Sequence, residues 1–553
     1  MNALPETTST TEQIQALAAA VLQLQNDVRE LRTENAKLRC EVGYWKSRHK
    51  DALKRNQKLE HELKQAKAEI RQLKHERFGK QSEKSSGKDR SNQLYDPQLP
   101  ETPKNKRGQQ PGRPAPKRRD YSHLPKREEV VDLPQHERCC QQCGKPLADL
   151  GYEDPCEQLE IETVVYRRVV FRKRYRRSCD CDQQPQTQTA PAPPKLLPKS
   201  RYGTSLWIHL LLEKFDLQRP THRTIKQLSL WGADLAPGTI ADGLKRIEPL
   251  LTPVYQALRT RQLEAKSLQA DETRWRVFAD KAGKTGHLWW LWMFASEDAV
   301  VYVLDPSRSH DVPQAHLDGS SQEGVLMMVD RYSGYKAMRQ VKEGKLLLAF
   351  CWAHVRRDFV RVGKGFEELA PWAVAWLRRI RELYRLDRQR RQAATEAEFS
   401  QADTALREHV MKMASARDTE LSDTKLRAPC RKALSSLSEH WSGLTLFLDH
   451  PSIPLDNNYG ERLLRNPAVG RKNYYGSGSE WSGRLSMMMF SILSTLSLWK
   501  INPRTWLVWY LEACAAHGGK TPNDIAPFLP WNLSASRLSE LQNPPPPDFR
   551  NTS

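Results

Sequence analysis

Residues 266–278 read KSLQADETRWRVF, a strand pattern that passes through Asp271. Residues 286–295 (GHLWWLWMFA) and 300–304 (VVYVL) read as two more strands. Residues 324–329 (GVLMMV) form a short continuous apolar run, as a strand buried on both faces requires, and the run ends at Asp330. A further apolar run, 345–350, leads into Cys351, Trp352, Ala353 and His354. Several strands, two of them with an aspartate at or near the apolar run, imply a mixed sheet with acids at one edge.

Asp330 follows Asp271 by 59 residues, and the next notable acid, Glu461, lies 131 residues further on. The second interval is long for a bare core. Residues 366–440 read as charged helix, so a helical insertion is expected before Glu461. In 455–465, LDNNYGERLLR, either Asn457 or Asn458 suits a helix N-cap, which puts Glu461 one turn inside the helix. Taken singly, each acid has an ordinary reading. Asp330 before Arg331-Tyr332-Ser333-Gly334 begins a turn, Glu461 pairs with Arg465 four residues on, and Asp271 pairs with Arg274.

Outward from this core the chain changes character. In 1–80, a-type positions (Ile14, Val21, Val28, Asn35, Val42, His49, Asn56, Leu63, Ile70) alternate with d-type positions (Leu17, Leu24, Leu31, Leu38, Trp45, Ala52, Leu59, Ala66, Leu73). β-branched residues at a and leucine at d favour a parallel two-stranded coiled coil, and Asn35 would set its register. Trp45 to Asn56 is a weak joint. Residues 81–126 read as a flexible arm or a solvated linker, too poor in apolar residues to fold. Its stretch 104–119, KNKRGQQPGRPAPKRR, has seven basic residues and no acid, which suits a phosphate backbone.

Residues 127–190 resemble a zinc ribbon, with Cys140 and Cys143 in one knuckle, Cys179 and Cys181 in the other, and a basic hairpin 159–177 between them. The second pair is CxC where CxxC is usual. Cys139 in place of Cys140, and Cys156, His136 or an aspartate as fourth ligand, stay open. Such a Zn²⁺ would be structural. Arg172, Arg174 and Arg176 would add a phosphate-binding face. Residues 199–258 read as helices at 206–217 and 224–254, compatible with a helix-turn-helix whose second helix is 238–247, or with plain packing. Residues 501–553 read as a helical element and a disordered tail, 541–553.

Lys+Arg total 87 against 66 Asp+Glu, a net charge of +21, which suggests a polyanionic partner. The richest apolar run, 287–295, is half the roughly 18 residues that a membrane span needs, and the polar start is no signal peptide. Ten cysteines at irregular spacing do not read as a secreted disulfide framework. A cytosolic protein is expected, with no membrane partner.

Four motifs together resemble the insertion sequence 66 family of DDE transposases: ADET at Asp271, VDRYSGY at Asp330, CWAHVRRDF at 351–359, and LDNNYGERLLRNPAVGRKNYYGSGSE at 455–480. RFGKQSEK at 77–84, RGQQPGRP at 107–114 and FLPWN at 528–532 extend the resemblance over nearly the whole chain. It implies a multidomain α+β protein with a ribonuclease-H-like core at 259–500. Asp271, Asp330 and Glu461 would hold two Mg²⁺ (or Mn²⁺) ions, with Asp271 bridging. Two ions about 4 Å apart activate the attacking oxygen and stabilise the leaving one in an in-line displacement. Water would be the nucleophile for strand cleavage and the freed 3′-hydroxyl for joining. The activity implied is binding of the element's terminal inverted repeats, then DNA cleavage and strand transfer. His354, Arg357, Arg471, Lys472 and Asn473 would contact DNA. A homo-oligomer through the coiled coil and helper proteins of the same element are the partners implied. The alternatives are an inactive or accessory DNA-binding assembly protein, and a ribonuclease-H-like nuclease that does not join strands.

Overall fold

The computed structural model describes residues 10–78, a few residues between 134 and 146, then 164–176, 178, 187–280 and 286–543. Thr10–Phe78 is one α-helix of 69 residues, unbroken by proline. Its apolar side chains face outward along the repeat: Leu17 is 71% exposed, and Leu24, Leu31 and Leu38 are exposed with it.

The core is a five-stranded mixed sheet. Its strands are β1 (Ser267–Arg276), β2 (Leu288–Ala295), β3 (Val300–Asp305), β4 (Val325–Val329) and β5 (Leu346–Phe350). They lie in the order β3-β2-β1-β4-β5. β1 runs antiparallel to β2, and β2 to β3. β4 lies parallel to both β1 and β5. The β4–β5 crossover passes through two short helices, Ser333–Ala337 and Arg339–Lys342. Parallel pairing brings the carboxyl ends of β1 and β4 to one edge. In their register Gln269 is opposite Met328, where the ladder ends. Two residues further along the chain stand Asp271, within β1, and Asp330, just past the end of β4.

One face of the sheet is covered by the helix Glu480–Leu498, which packs on β3 and on the helix Pro237–Leu263. Trp275, Leu291, Met293, Phe490 and Leu493 share this core. The outer edge of β3 is closed by hydroxyls. Val300 N–H donates to Thr495 Oγ1 (3.0 Å) and Tyr302 N–H to Ser491 Oγ (2.8 Å). Unpaired edge N–H groups are thereby satisfied without another strand.

Elsewhere the structure departs from the sequence expectations. The second helix of the expected helix-turn-helix does not stop near Ile247 but continues to Leu263, through Pro249 and Pro253. Its later residues Leu250, Leu251, Val254 and Leu258 are buried, so packing extends it. Gly243 is required where this helix meets Trp207: an added Cβ would lie 2.0 Å from the indole. The expected insertion is three helices, Ala370–Gln392, Glu396–Ser422 and Ala428–Glu439.

In the ribbon region, Arg174–Arg176 pairs antiparallel with Thr187–Thr189, not within 159–177. The two strands therefore flank Cys179 and Cys181. Those two cysteines and Cys140 lie outside the described residues, as do the arm 81–126 and 544–553. The expected disordered tail starts too early, because Leu541 is buried and its carbonyl accepts Asn502 N–H (2.9 Å). Among the described residues no helix is long and apolar enough to cross a membrane.

Candidate active site

Strand alternation sends Gln269, Asp271 and Thr273 to one face of β1 and Glu272 to the other. On the Asp271 face, Gly460 N–H donates to Gln269 Oε1 (3.1 Å) and Arg471 Nη1 donates to Thr273 Oγ1 (3.0 Å). Arg471 also donates to the Arg274 carbonyl. The segment from Gly460 to Arg471 thus docks on both sides of Asp271, and Glu461 lies within it.

Glu461 is carried by the helix Asn458–Leu463. Asn457 stands at its N-cap, but its side chain does not cap the helix. It is fully buried, and its Nδ2 donates to the Ala270 carbonyl (2.9 Å). Asp456 Oδ1 accepts the Asn458 N–H instead (3.0 Å). The Asn457 N–H donates to Cys351 Sγ (3.2 Å), and the Asn457 carbonyl accepts Glu461 N–H (2.9 Å). A Cβ on Gly460 would sit 2.9 Å from Met293 Cε and 2.7 Å from Asn457 Oδ1. Only glycine lets the helix lie this close to the sheet.

Asp330 Oδ1 accepts Tyr332 N–H (2.8 Å), so it does begin a turn. Asp271 Oδ1 accepts Glu272 N–H (2.8 Å). Glu461 pairs with Arg357, not with Arg465: Arg357 Nη2 lies 3.0 and 3.1 Å from its two oxygens. His354 Nε2 is 3.0 Å from Arg357 Nη1 and 3.9 Å from Glu461 Oε1. Burial pushes the Asp271 carboxyl well above the usual range, and the charges of Glu272, Asp330 and Glu461 raise it further.

These acids carry the hard oxygen donors that a divalent cation takes. The donor chemistry fits Mg²⁺ or Mn²⁺. Among the described residues, however, no group of three or more His, Cys, Asp or Glu side chains is drawn together as a metal site. Cys143 is an exposed free thiol.

The expected DNA contacts differ in placement. Arg172, Arg174 and Arg176 are exposed, the first two anchored by Nε to Ala190 O (2.7 Å) and Thr189 Oγ1 (3.1 Å). Lys472 is exposed. Asn473 Nδ2 donates to the Gln218 carbonyl (2.9 Å), and Arg471 is held on β1 as described.

Sequence reasoning passed over Glu272, Arg308, Tyr335 and the anchoring role of Asn457. Glu272 and Tyr335 sit inside the quoted motifs ADET and VDRYSGY. Arg308 has no local signal.

A family model described as "Transposase IS66 family" matches residues 199–485. The chain belongs to the IS66 transposase family. The family region contains Asp271, Asp330 and Glu461 and begins after the cysteine-bearing segment. Similar proteins include two of Sinorhizobium fredii, both described as uncharacterized. Protein y4jD is 30% identical over 435 residues, covering 76% of this chain and 82% of its own. Protein y4hP is 27% identical over 423 residues, covering 73% and 74%. Among solved structures, the Mos1 transposase paired-end complex with left transposon end aligns with 44% of this chain and 78% of its own. At 13% identity and a TM-score of 0.13, that likeness carries no weight for the fold.

Proposed function

We propose that this IS66-family chain is an insertion-sequence transposase that binds the terminal inverted repeats of its element and catalyses DNA strand cleavage and strand transfer. The observation that carries the reading is the docking of the Glu461 helix on β1 at Gln269 and Ala270, beside Asp271 in mid-strand and Asp330 just past the end of the parallel neighbour β4. A mixed sheet with acids at that edge supports a ribonuclease-H-like core.

In this reading Asp271, Asp330 and Glu461 would together hold the Mg²⁺ or Mn²⁺ ions. When bound, the ions supply activation of the attacking oxygen and stabilisation of the leaving one. The chain's own groups do the rest. Arg357 and His354 face a non-bridging phosphate oxygen, and Lys472 with Arg172, Arg174 and Arg176 neutralises the DNA backbone. The helix pair Thr221–Leu230 and Pro237–Leu263 offers exposed Gly238, Thr239 and Lys245 to a groove. The long N-terminal helix joins two protomers, which pairing of two element ends requires. A structural Zn²⁺ on Cys140, Cys143, Cys179 and Cys181 belongs to the same proposal, and zinc content of the purified protein tests it.

One observation favours a second reading, an assembly protein without chemistry: Arg357 already engages both oxygens of Glu461. Labelled DNA carrying the element's ends, with Mg²⁺ or Mn²⁺ and with any helper proteins of the element added, decides between them. Wild type nicks and joins, while Glu461→Gln binds ends and does neither. Equal activity of the two removes Glu461 from the site. Binding without cleavage by wild type supports the assembly protein, and cleavage without joining a plain nuclease.

A further inference from the structure

We infer that Glu272 and Tyr335 form a buried brace that sets the separation of Asp271 and Asp330, acting as positioning residues and not as ligands. The inference rests on the reading of those two aspartates as the metal-holding edge.

The hydrogen-bonded ladder between β1 and β4 stops at Gln269 and Met328. Both aspartates lie beyond it, so the β-ladder does not fix their spacing. On the opposite face of β1, the side chain of Glu272 is only 2% exposed. A carboxylate so placed is retained only if it is well partnered. Tyr335 donates its hydroxyl to Glu272 Oε2 (2.7 Å), and Arg308 Nε donates to Oε1 (2.9 Å).

Tyr335 stands five residues after Asp330 and is fully buried, edge-on to Trp292 of β2 and to Tyr332. Tyr332 closes the circuit. Its N–H holds Asp330 Oδ1, its hydroxyl donates to the Arg308 carbonyl (2.7 Å), and its ring lies 4.0 Å from the Arg308 guanidinium carbon. The loop bearing Asp330 is thus tied through Tyr332, Tyr335 and Arg308 to the residue after Asp271. The tie stands where the backbone ladder has ended.

Two single-site variants of the full-length protein test this, Tyr335→Phe and Glu272→Gln. The measurements are Mn²⁺ affinity by calorimetry without DNA, Tm without metal, and cleavage of end DNA across Mn²⁺ concentrations. Partners of metal ligands typically change affinity by about 10- to 100-fold when removed. About tenfold weaker Mn²⁺ binding is expected of a folded Tyr335→Phe protein, with cleavage recovered at raised Mn²⁺. Either variant suffices if the other does not fold. A lowered Tm with unchanged Mn²⁺ affinity of the folded protein overturns the brace and leaves a structural contact. Asp271→Asn separates the two levels. If it loses Mn²⁺ binding while both brace variants behave as wild type, the brace alone fails. If it too binds Mn²⁺ normally, the metal-edge reading beneath it fails.

Discussion

Arg357 reaches across 104 residues of sequence to place one guanidinium nitrogen 3.0 Å and 3.1 Å from the two carboxylate oxygens of Glu461. The pair is partly exposed, 23% and 31% for the two side chains, so solvent screens it and its contribution to stability is small. Its weight falls on function. In the transposase reading, Arg357→Gln frees Glu461 for a cation and removes the positive charge facing the phosphate. Mn²⁺ affinity of the free protein rises and cleavage falls by about 10²-fold, the scale of losing one preorganised donor. Mn²⁺ titration and end-cleavage rates check this. Unchanged values of both would sink the assigned role.

Asn457 and Gly460 hold the Glu461 helix on the sheet. Asn457→Ala removes the donor to the buried Ala270 carbonyl, a loss of about 1–3 kcal/mol. Gly460→Ala forces a methyl toward Met293 and Asn457, overpacking of similar cost. Urea unfolding of each variant measures the loss. Cleavage should fall further than stability does, because both changes displace Glu461.

Asp271 is held above its ordinary pKa by burial and by its acidic neighbours. A carboxyl with a raised folded pKa favours the native state at low pH, and that stability is lost as pH rises through the folded value. In metal-free protein, Asp271→Asn should therefore raise Tm near neutral pH. The gain should shrink toward pH about 4, the ordinary aspartate value. Divalent metal should stabilise wild type and not the variant. A Tm difference that does not vary with pH would contradict the electrostatic account.

The N-terminal helix presents Leu24, Leu31 and Leu38 to solvent in heptad register. Replacing all three with serine should convert a dimer to a monomer in light scattering, with the Tm of the core unchanged. Retention of the dimer would place self-association elsewhere.

Strands β2 to β5 were legible as short apolar runs, and β1, SLQADETRWR, as a strand pattern passing through Asp271. The helices of 366–440 were legible from the charge and length of that stretch. The reach of Pro237–Leu263 was legible only as far as residue 254, and packing of the buried Leu258 and Gln262 carries it further. Nor was the strand partner of Arg174–Arg176 legible, because the alternating run before it looks like a hairpin by itself.

Within the candidate site, sequence alone picked out Asp271, Asp330 and Glu461 and the family motifs around them. Periodic burial and local motifs are written in neighbouring residues, so they can be read without coordinates. The partners of those acids are another matter. Arg357 for Glu461, Asn457 for the Ala270 carbonyl and Arg308 for Glu272 come together from 36 to 187 positions apart. Strand order, register and the close approach allowed by Gly460 bring them into contact, and those depend on packing of the whole core. No short stretch of the chain encodes them, so only the tertiary structure decided which charges face which.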